Sequence, residues 1–212
     1  MAEFRWFGHD CIRIRAREAT LLFDPVGRGA GYALPKQNAD IVLLSNDDPA
    51  NTNLDAVKPE FKIVQGPGEY ELHEVFITGI RTYRTEPDAA ERAPNTAYLF
   101  EIEGMRVCHL GDLGHVLSTE QAEALSDVDV LVVPAGGAPI GAAKAAEVVG
   151  QLEPKIVIPI RYATAAGDKK LGGLDAFCKE LGVAVPAPED KLTLRPSDLS
   201  ETMRVVALAP GA

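Results

Sequence analysis

The sequence alternates short apolar runs with polar loops, and this pattern restricts the chain to folds built on β-sheets. Residues 11–15 alternate apolar and charged side chains, as a half-buried strand does. Residues 41–44 are apolar throughout and are followed by the polar run 45–51, which is typical of a buried strand that ends in an exposed loop. The strands predicted in this way are residues 4–7, 11–15, 20–23, 41–44, 61–64, 75–80, 97–102, 106–110, 130–133, 156–160 and 203–208.

Helical patterns appear only in the second half of the chain. Residues 118–125 begin with Ser and Thr followed by acidic residues, which predicts a capped helix start. Residues 141–152 show apolar spacing near 3.6, and residues 174–181 form a third candidate helix. The polar, proline-bounded segment 82–94 is predicted to be a long exposed loop. Strands followed by helices predict a layered α/β architecture.

Composition excludes several classes of protein. The 212 residues are 46% hydrophobic and 25% charged, so the chain can bury a core and is not a disordered segment. The net charge of −10, without a long basic cluster, indicates neither a nucleic-acid partner nor a membrane partner. No secretory signal pattern is present, so we expect a cytoplasmic protein. The three widely spaced cysteines predict reduced core thiols: Cys11, Cys108 and Cys178.

Four loops that follow predicted strands carry the polar and charged residues suited to catalysis or ligand binding. They are Gly8-His9-Asp10, the run from Ser45 to Asn51, the run from His109 to His115, and Arg161-Tyr162. Together with Phe23-Asp24-Pro25, Gly66-Pro67-Gly68-Glu69-Tyr70 and Asn95-Thr96-Ala97-Tyr98, they resemble the metallo-β-lactamase superfamily. The resemblance is to its branch of small hydrolase-like proteins, similar to the ascorbate-6-phosphate lactonases, and it covers nearly the whole chain.

The resemblance implies a fold and an assembly. The fold is a four-layer αββα sandwich of two mixed β-sheets with helices outside, and the metals of the family lie in a groove at the sheet edges. The predicted order of strands and helices agrees with such a sandwich. We therefore expect one domain over residues 1–212, and a homo-oligomer by analogy with relatives.

The same resemblance implies that most metal ligands are missing. In the family's motif Ser-His-x-His-x-Asp-His, three histidine positions are taken here by Asn46, Asp48 and Asn51, and the aspartate position by Ala50. A later histidine that precedes a tyrosine is replaced by Arg161. Two positions match metal ligands of the family: His109 and Asp112.

These replacements predict that zinc does not bind and that no cofactor is required. Neutral amides are poor zinc ligands, and the Arg161 guanidinium is a permanent cation without a lone pair. One interpretation is that Arg161 fills the vacated volume and pairs with Asp112 or Asp48, leaving a pocket for a small anionic molecule. The alternative is a single hard ion, Mn²⁺ or Mg²⁺, held by Asp48 and Asp112.

Candidate site residues follow from these two interpretations. For ligand binding they are Arg161, Asp48, Asn46, Asn51 and Glu69, the last as an acid held on a rigid Gly-Pro turn. For general acid or base catalysis they are His109, Asp112 and His9. His73 and His115 are interpreted as a solvated residue and as a surface or capping residue, respectively.

The leading hypothesis is a protein with the metallo-β-lactamase fold that is inactive as a zinc hydrolase and binds an anionic ligand or forms an assembly. The alternative is a divergent hydrolase of phosphate or lactone esters that uses a single hard ion.

Overall fold

The computed structural model describes residues 1–137, 139–167 and 169–211, with Arg28 described in its backbone only. Within these residues the chain forms a six-stranded and a seven-stranded β-sheet. The elements in chain order are β1 (Ala2–Trp6), β2 (Ile12–Arg15), β3 (Thr20–Phe23), β4 (Ile41–Leu44), β5 (Lys62–Gln65), β6 (Gly68–Leu72), β7 (Val75–Tyr83), β8 (Pro94–Ile102), β9 (Met105–His109), α1 (Thr119–Ala124), β10 (Val130–Pro134), α2 (Ala142–Leu152), β11 (Ile156–Ile160), α3 (Leu174–Glu180), β12 (Leu192–Leu194) and β13 (Arg204–Val205).

Both sheets are mixed. The first has the strand order β12-β1-β2-β3-β4-β5, antiparallel from β12 to β3 and parallel from β3 to β5. The second has the order β13-β11-β10-β9-β8-β7-β6, parallel from β13 to β9 and antiparallel from β9 to β6. This arrangement confirms the predicted metallo-β-lactamase sandwich of two mixed sheets.

Hydrophobic patterning explains which strands lie inside. Strands β4, β10 and β11 have parallel neighbours and are buried at every position, which accounts for their continuous apolar runs. Strand β3 alternates: Leu21 and Phe23 face the main core, whereas Leu22 faces a smaller cluster on the other side of the sheet. Aromatic side chains from both sheets meet in the main core, where Phe23 stacks on Phe100 at 5.3 Å between ring centroids.

The helices lie against the second sheet. Ser118 caps α1 in a reciprocal capping box with Gln121, as the sequence predicts. Helix α2 buries one face on β10 and contacts α3. The smaller cluster on the first sheet is covered by segment 24–57, whose described helical turns are the short 3₁₀ turns Arg28–Ala30 and Leu54–Ala56. None of the helices described is long and apolar enough to cross a bilayer.

Two strands were not predicted, and one is shorter than expected. Strand β6 lacks an apolar run because it lies at a sheet edge and exposes much of its surface, whereas β12 is an edge strand of three residues, too short for its two buried leucines to form a recognisable pattern. The segment predicted as a strand over 203–208 pairs as β13 only at Arg204–Val205. All three predicted cysteines are free and buried, as expected.

Candidate functional site

The predicted site loops converge at one edge of the sandwich because each one leaves the end of a strand there. The turn between β1 and β2 carries His9 and Asp10, and the loop after β4 carries residues 45–51. Asp112 follows β9, and Arg161 follows β11 directly. Their side chains form one polar network, described below.

Arg161 lies at the centre of this network. Its Nη1 is 2.6 Å from Asp10 Oδ2 and 3.0 Å from Asp112 Oδ1, and its side chain is only 13% exposed. The predicted pairing with Asp112 is thus present, whereas Asp48 pairs with a different arginine. Arg161 has a φ of 53°, an unusual left-handed conformation that aims its side chain at the network from the end of β11.

That second arginine is Arg84, which was not predicted as a site residue. Its Nε donates to Asp112 Oδ2 at 2.7 Å, and its Nη2 donates to Asp48 Oδ2 at 2.7 Å. Strand β7 runs two residues into the predicted loop, so Arg84 leaves the sheet at a half-buried position rather than on an exposed loop. No sequence signal distinguishes it from an ordinary loop arginine, because its partners come from distant segments.

Asp10 is the second residue that was missed, although it follows His9 directly. It is fully buried, and burial alone would raise the pKa of its carboxyl. The charges of Arg161 and His9 more than offset burial and hold the Asp10 pKa well below its usual range. These charges therefore favour the ionised form of the Asp10 carboxyl.

Contacts at the Nδ1 atom fix the orientation of the His9 ring. Nδ1 lies 2.9 Å from Asp10 Oδ2 and 2.9 Å from Asn51 Oδ1, and Arg161 Nη1 is farther away at 3.4 Å. Two close acceptors indicate that Nδ1 carries the hydrogen. Burial lowers the His9 pKa, but the Asp10 charge and hydrogen bond raise it by more, so the net shift is upward.

The two predicted asparagines order the loop after β4. Asn51 Nδ2 donates to Asp10 Oδ2 at 3.1 Å and to Asn46 Oδ1 at 3.3 Å, and this orientation presents its Oδ1 to His9. Asn46 Oδ1 also accepts from the Asp48 backbone N–H at 3.0 Å. Both amides are buried and use their hydrogen bonds within the protein.

The pKa values of Asp48 and Asp112 are shifted in opposite directions. The Ala50 backbone N–H and then the Arg84 guanidinium lower the pKa of Asp48. Burial, together with the Asp10 charge, raises the pKa of Asp112 to about 6 in spite of its two arginine neighbours.

His109 was predicted as a catalytic residue, but both of its ring nitrogens are already engaged. Nδ1 accepts from the Gly111 backbone N–H at 3.0 Å, so Nε2 carries the hydrogen and donates to the Asp10 carbonyl at 3.2 Å. The ring stacks on Phe23 at 4.5 Å and is fully buried, and burial lowers its pKa to about 4. This environment gives His109 a structural role and leaves no ring atom for a substrate.

Glu69 does not join the site. It lies in the edge strand β6, paired with Thr78, instead of on a turn, and its side chain is exposed. Strand pairing of β6 with β7 accounts for this difference, since the Gly-Pro turn ends one residue earlier than expected. His73 is exposed, as predicted.

His115 differs from its surface interpretation. It is 3% exposed, its Nε2 accepts from the Tyr83 backbone N–H at 3.2 Å, and its Nδ1 lies 2.7 Å from the Val116 carbonyl. It thereby supports the end of β7, from which Arg84 extends.

Asp24 is a buried carboxylate that stabilises one of the loops of the network. Asp24 accepts from the Ser45 backbone N–H and hydroxyl, both at 2.8 Å, which fixes the start of the loop after β4. Burial and the nearby Asp10 charge raise the Asp24 pKa well above its usual value.

The donor set does not fit the zinc centre that the fold implies. Asp10, Asp48 and Asp112 are each paired with a guanidinium, and His109 has both ring nitrogens bonded. Among residues 1–137, 139–167 and 169–211, no group of three or more His, Cys, Asp or Glu side chains could hold a metal ion. Two guanidinium groups lie among the carboxylates that a metal ion would need.

Comparison with known proteins identifies the family. Residues 3–161 match the beta-lactamase superfamily domain. A structure from Thermotoga maritima, of a proposed Zn-dependent hydrolase of the metallo-β-lactamase superfamily, is 33% identical with a TM-score of 0.80 and 98% coverage of both chains.

Other relatives are more distant. A UPF0173 metal-dependent hydrolase from Lysinibacillus sphaericus is 24% identical over 194 residues, which cover 76% of this chain and 86% of that protein. A UPF0173 protein from Pyrococcus furiosus is 27% identical over 181 residues, covering 75% of this chain and 82% of that protein. The chain therefore belongs to the metallo-β-lactamase superfamily.

Proposed function

We propose that this chain is a member of the metal-dependent hydrolase family that lacks zinc hydrolase activity and binds a small anionic molecule. The observation that carries the proposal is the position of Arg161 and Arg84 on either side of Asp112. Two guanidinium groups in contact with the same carboxylate repel a divalent cation, and they supply its positive charge themselves. Without a bound metal, no metal-activated water is available for hydrolysis.

Charge balance supports this interpretation. The network holds the carboxylates of Asp10, Asp48 and Asp112 against Arg84 and Arg161, with His9 as a third group able to carry positive charge. The buried negative charge is thus matched almost completely by side chains. A metal ion would add positive charge that the network does not need.

Elemental analysis tests the proposal. The purified protein is dialysed separately against Zn²⁺, Mn²⁺ and Mg²⁺, and its metal content is measured by mass spectrometry beside the Thermotoga maritima relative. We expect far less than one ion per chain for each metal. We also expect Arg161→His, and more strongly its combination with Arg84→Ala, to increase Zn²⁺ binding. Two zinc ions per wild-type chain would overturn the proposal.

A second candidate function is favoured by one observation. Within the described residues, Asp10 Oδ1 is a buried oxygen without a hydrogen-bond partner, and Asp112 Oδ1 is buried and contacts Arg161 Nη1 as an ion pair at 3.0 Å. One Arg84 guanidinium bridges the second oxygen of Asp112 and Asp48. Oxygen ligands of this kind suit a single Mn²⁺ or Mg²⁺, which would make the chain a divergent hydrolase of phosphate or lactone esters. Stoichiometric Mn²⁺ or Mg²⁺ that is lost in Asp112→Ala would establish this candidate over the first.

Assembly and location belong to the same proposal. We propose a homo-oligomer, tested by light scattering coupled to gel filtration, where a monomeric mass would contradict it. We also propose a cytoplasmic location, which the three free cysteines support. Detection of the protein in an extracytoplasmic fraction would contradict this location.

A further inference from the structure

A cavity of about 600 Å³ opens beside the polar network, on the exposed side of His9. This volume lies within the range of pockets that hold small organic ligands. The residues that line it are His9, Gly29, Ala30, Gly31, Ala50, Gly167, Lys169 and Lys170.

Tight packing builds the wall of this cavity. The Tyr32 side chain packs tightly between two loops: a Cβ atom at Gly8 would lie 2.2 Å from its ring, and a Cβ atom at Gly167 would lie 2.1 Å from its hydroxyl oxygen. The Tyr32 hydroxyl is 2.8 Å from Thr164 Oγ1, and a Cβ atom at Gly31 would lie 2.3 Å from the Ala166 carbonyl. These contacts join segment 29–32 to segment 164–167, so the cavity is a built feature of the fold rather than a gap between loose loops.

The floor of the cavity offers one defined acceptor. His9 Nδ1 is occupied by Asp10 and Asn51, as described above. Within the part of the chain that the structure describes, His9 Nε2 makes no hydrogen bond, and the ring is 15% exposed. When the ring is neutral, Nδ1 carries its hydrogen and Nε2 has a lone pair that accepts from a hydroxyl group.

The rim of the cavity is basic in an otherwise acidic protein. Lys169 and Lys170 line it, and Lys169 is exposed. The chain as a whole has a net charge of −10, and the exposed Lys169 ammonium at the cavity mouth is a local positive charge that attracts anions. The carboxylates beneath the cavity are already neutralised by Arg84 and Arg161.

We infer that this cavity binds a small organic anion that also carries a hydroxyl group, with the anionic group at Lys169 and the hydroxyl group donating to Nε2 of the neutral His9 ring. The inference deepens the proposed function and rests on it, because it assigns the anion to the cavity above His9 instead of to Arg161. The ligands that carry both groups are hydroxylated carboxylates and hydroxylated phosphomonoesters.

Isothermal titration calorimetry with four probes tests the inference. Glycerol 3-phosphate and glycerate carry both groups, methyl phosphate carries only the anion, and glycerol carries only hydroxyl groups. We expect at least one of the first two probes to bind about 10-fold more tightly than methyl phosphate, and glycerol to bind undetectably. Comparison of glycerol 3-phosphate with glycerate then distinguishes phosphate from carboxylate. Equal affinity for methyl phosphate, or no saturable binding of either bifunctional probe, would overturn the inference.

Variants localise the binding. A Cβ atom at Gly29 meets nothing within 4 Å, so Gly29→Leu is tolerated by its surroundings and fills the cavity. We expect this variant to abolish binding, whereas Gly150→Leu on the exposed face of α2 leaves it unchanged. Lys169→Ala is expected to weaken binding about 3- to 10-fold, beside Lys62→Ala on the exposed edge strand β5 as a control of equal charge.

The outcomes separate the two proposals. Binding that persists in Gly29→Leu but is lost in Arg161→Gln would overturn the cavity assignment and leave the anion-binding function intact. Stoichiometric zinc in the wild-type protein would overturn the proposed function, whatever the calorimetry shows. His9→Gln is expected to bring the affinities for glycerol 3-phosphate and methyl phosphate close together, and an unchanged ratio would contradict the role given to Nε2.

Discussion

At the scale of single residues, the site is governed by how buried charges find partners. Asp10 and Asp112 are fully buried, and each depends on Arg161 for positive charge. Removing one partner of a buried ion pair leaves the other charge uncompensated. The resulting loss in the free energy of unfolding is larger than the stabilisation that the intact pair provides.

Replacement of Arg161 by Met should therefore destabilise the protein strongly. We expect a loss of about 3–5 kcal/mol in the free energy of unfolding, measured by urea denaturation. The control, Lys62→Ala on an exposed strand, should change stability by less than about 0.5 kcal/mol. A loss below about 1 kcal/mol in Arg161→Met would show that the ion pairs do not support the fold.

His109 should give the protein an acid-sensitive component of stability. Burial lowers its pKa to about 4, against about 6.5 in an unfolded chain, so the unfolded state binds more protons between these values. Its contribution is complete above pH 6.5 and is lost as the pH falls to 4, with an upper limit on the order of 3 kcal/mol.

The measurement compares urea denaturation of wild type and His109→Gln at several pH values. The stability difference between the two proteins should shrink as the pH falls from 7 to 4. A difference that is independent of pH would contradict a neutral, buried His109.

At the scale of elements, the strand ends decide where the site lies. Gly136 follows β10, and a Cβ atom there would come within 2.1 Å of the Arg161 carbonyl and 2.6 Å of Tyr162 Cα. Position 136 therefore requires a residue without a Cβ atom, because the backbone at Arg161 passes this close to it at the end of β11.

Paired glycine substitutions test this dependence. We expect Gly136→Ala to destabilise the protein by roughly 2–4 kcal/mol, because backbone atoms must move. Gly150→Ala in the exposed part of α2, where a Cβ atom meets nothing, should stabilise it by about 0.5–1 kcal/mol. Thermal denaturation of both variants gives the signs, and a neutral Gly136→Ala would contradict the close approach.

At the scale of the whole molecule, one core joins the two sheets. Trp6, the only tryptophan, is fully buried in β1, and its core cluster contains side chains from both sheets, including Phe100 and Val132. Side chains that share one core unfold together in a domain of this size.

We therefore predict a single cooperative transition over residues 1–212. Urea unfolding followed by Trp6 fluorescence, which reports on the first sheet, should coincide with unfolding followed by far-ultraviolet circular dichroism. Two separated midpoints would contradict the prediction of one domain.

The sequence by itself determined most of the strands, because buried strands require continuous or alternating apolar runs. Its loop motifs carried the resemblance from which the superfamily and the two-sheet fold were predicted. It also located His9, Asp48, Asn46, Asn51, Asp112 and Arg161, since these lie in loops at strand ends that the family resemblance identifies. Edge strands such as β6 escaped detection because they bury too little surface to need an apolar pattern.

Only the tertiary structure decided which charges meet. Arg84 and Asp10 joined the network, Glu69 was left outside it, and His109 was placed where both of its nitrogens are bonded. Pairing of this kind depends on distances between segments far apart in the chain, and on which side of the sheet edge each side chain emerges. Local sequence patterns fix burial and periodicity, but they do not encode these distances.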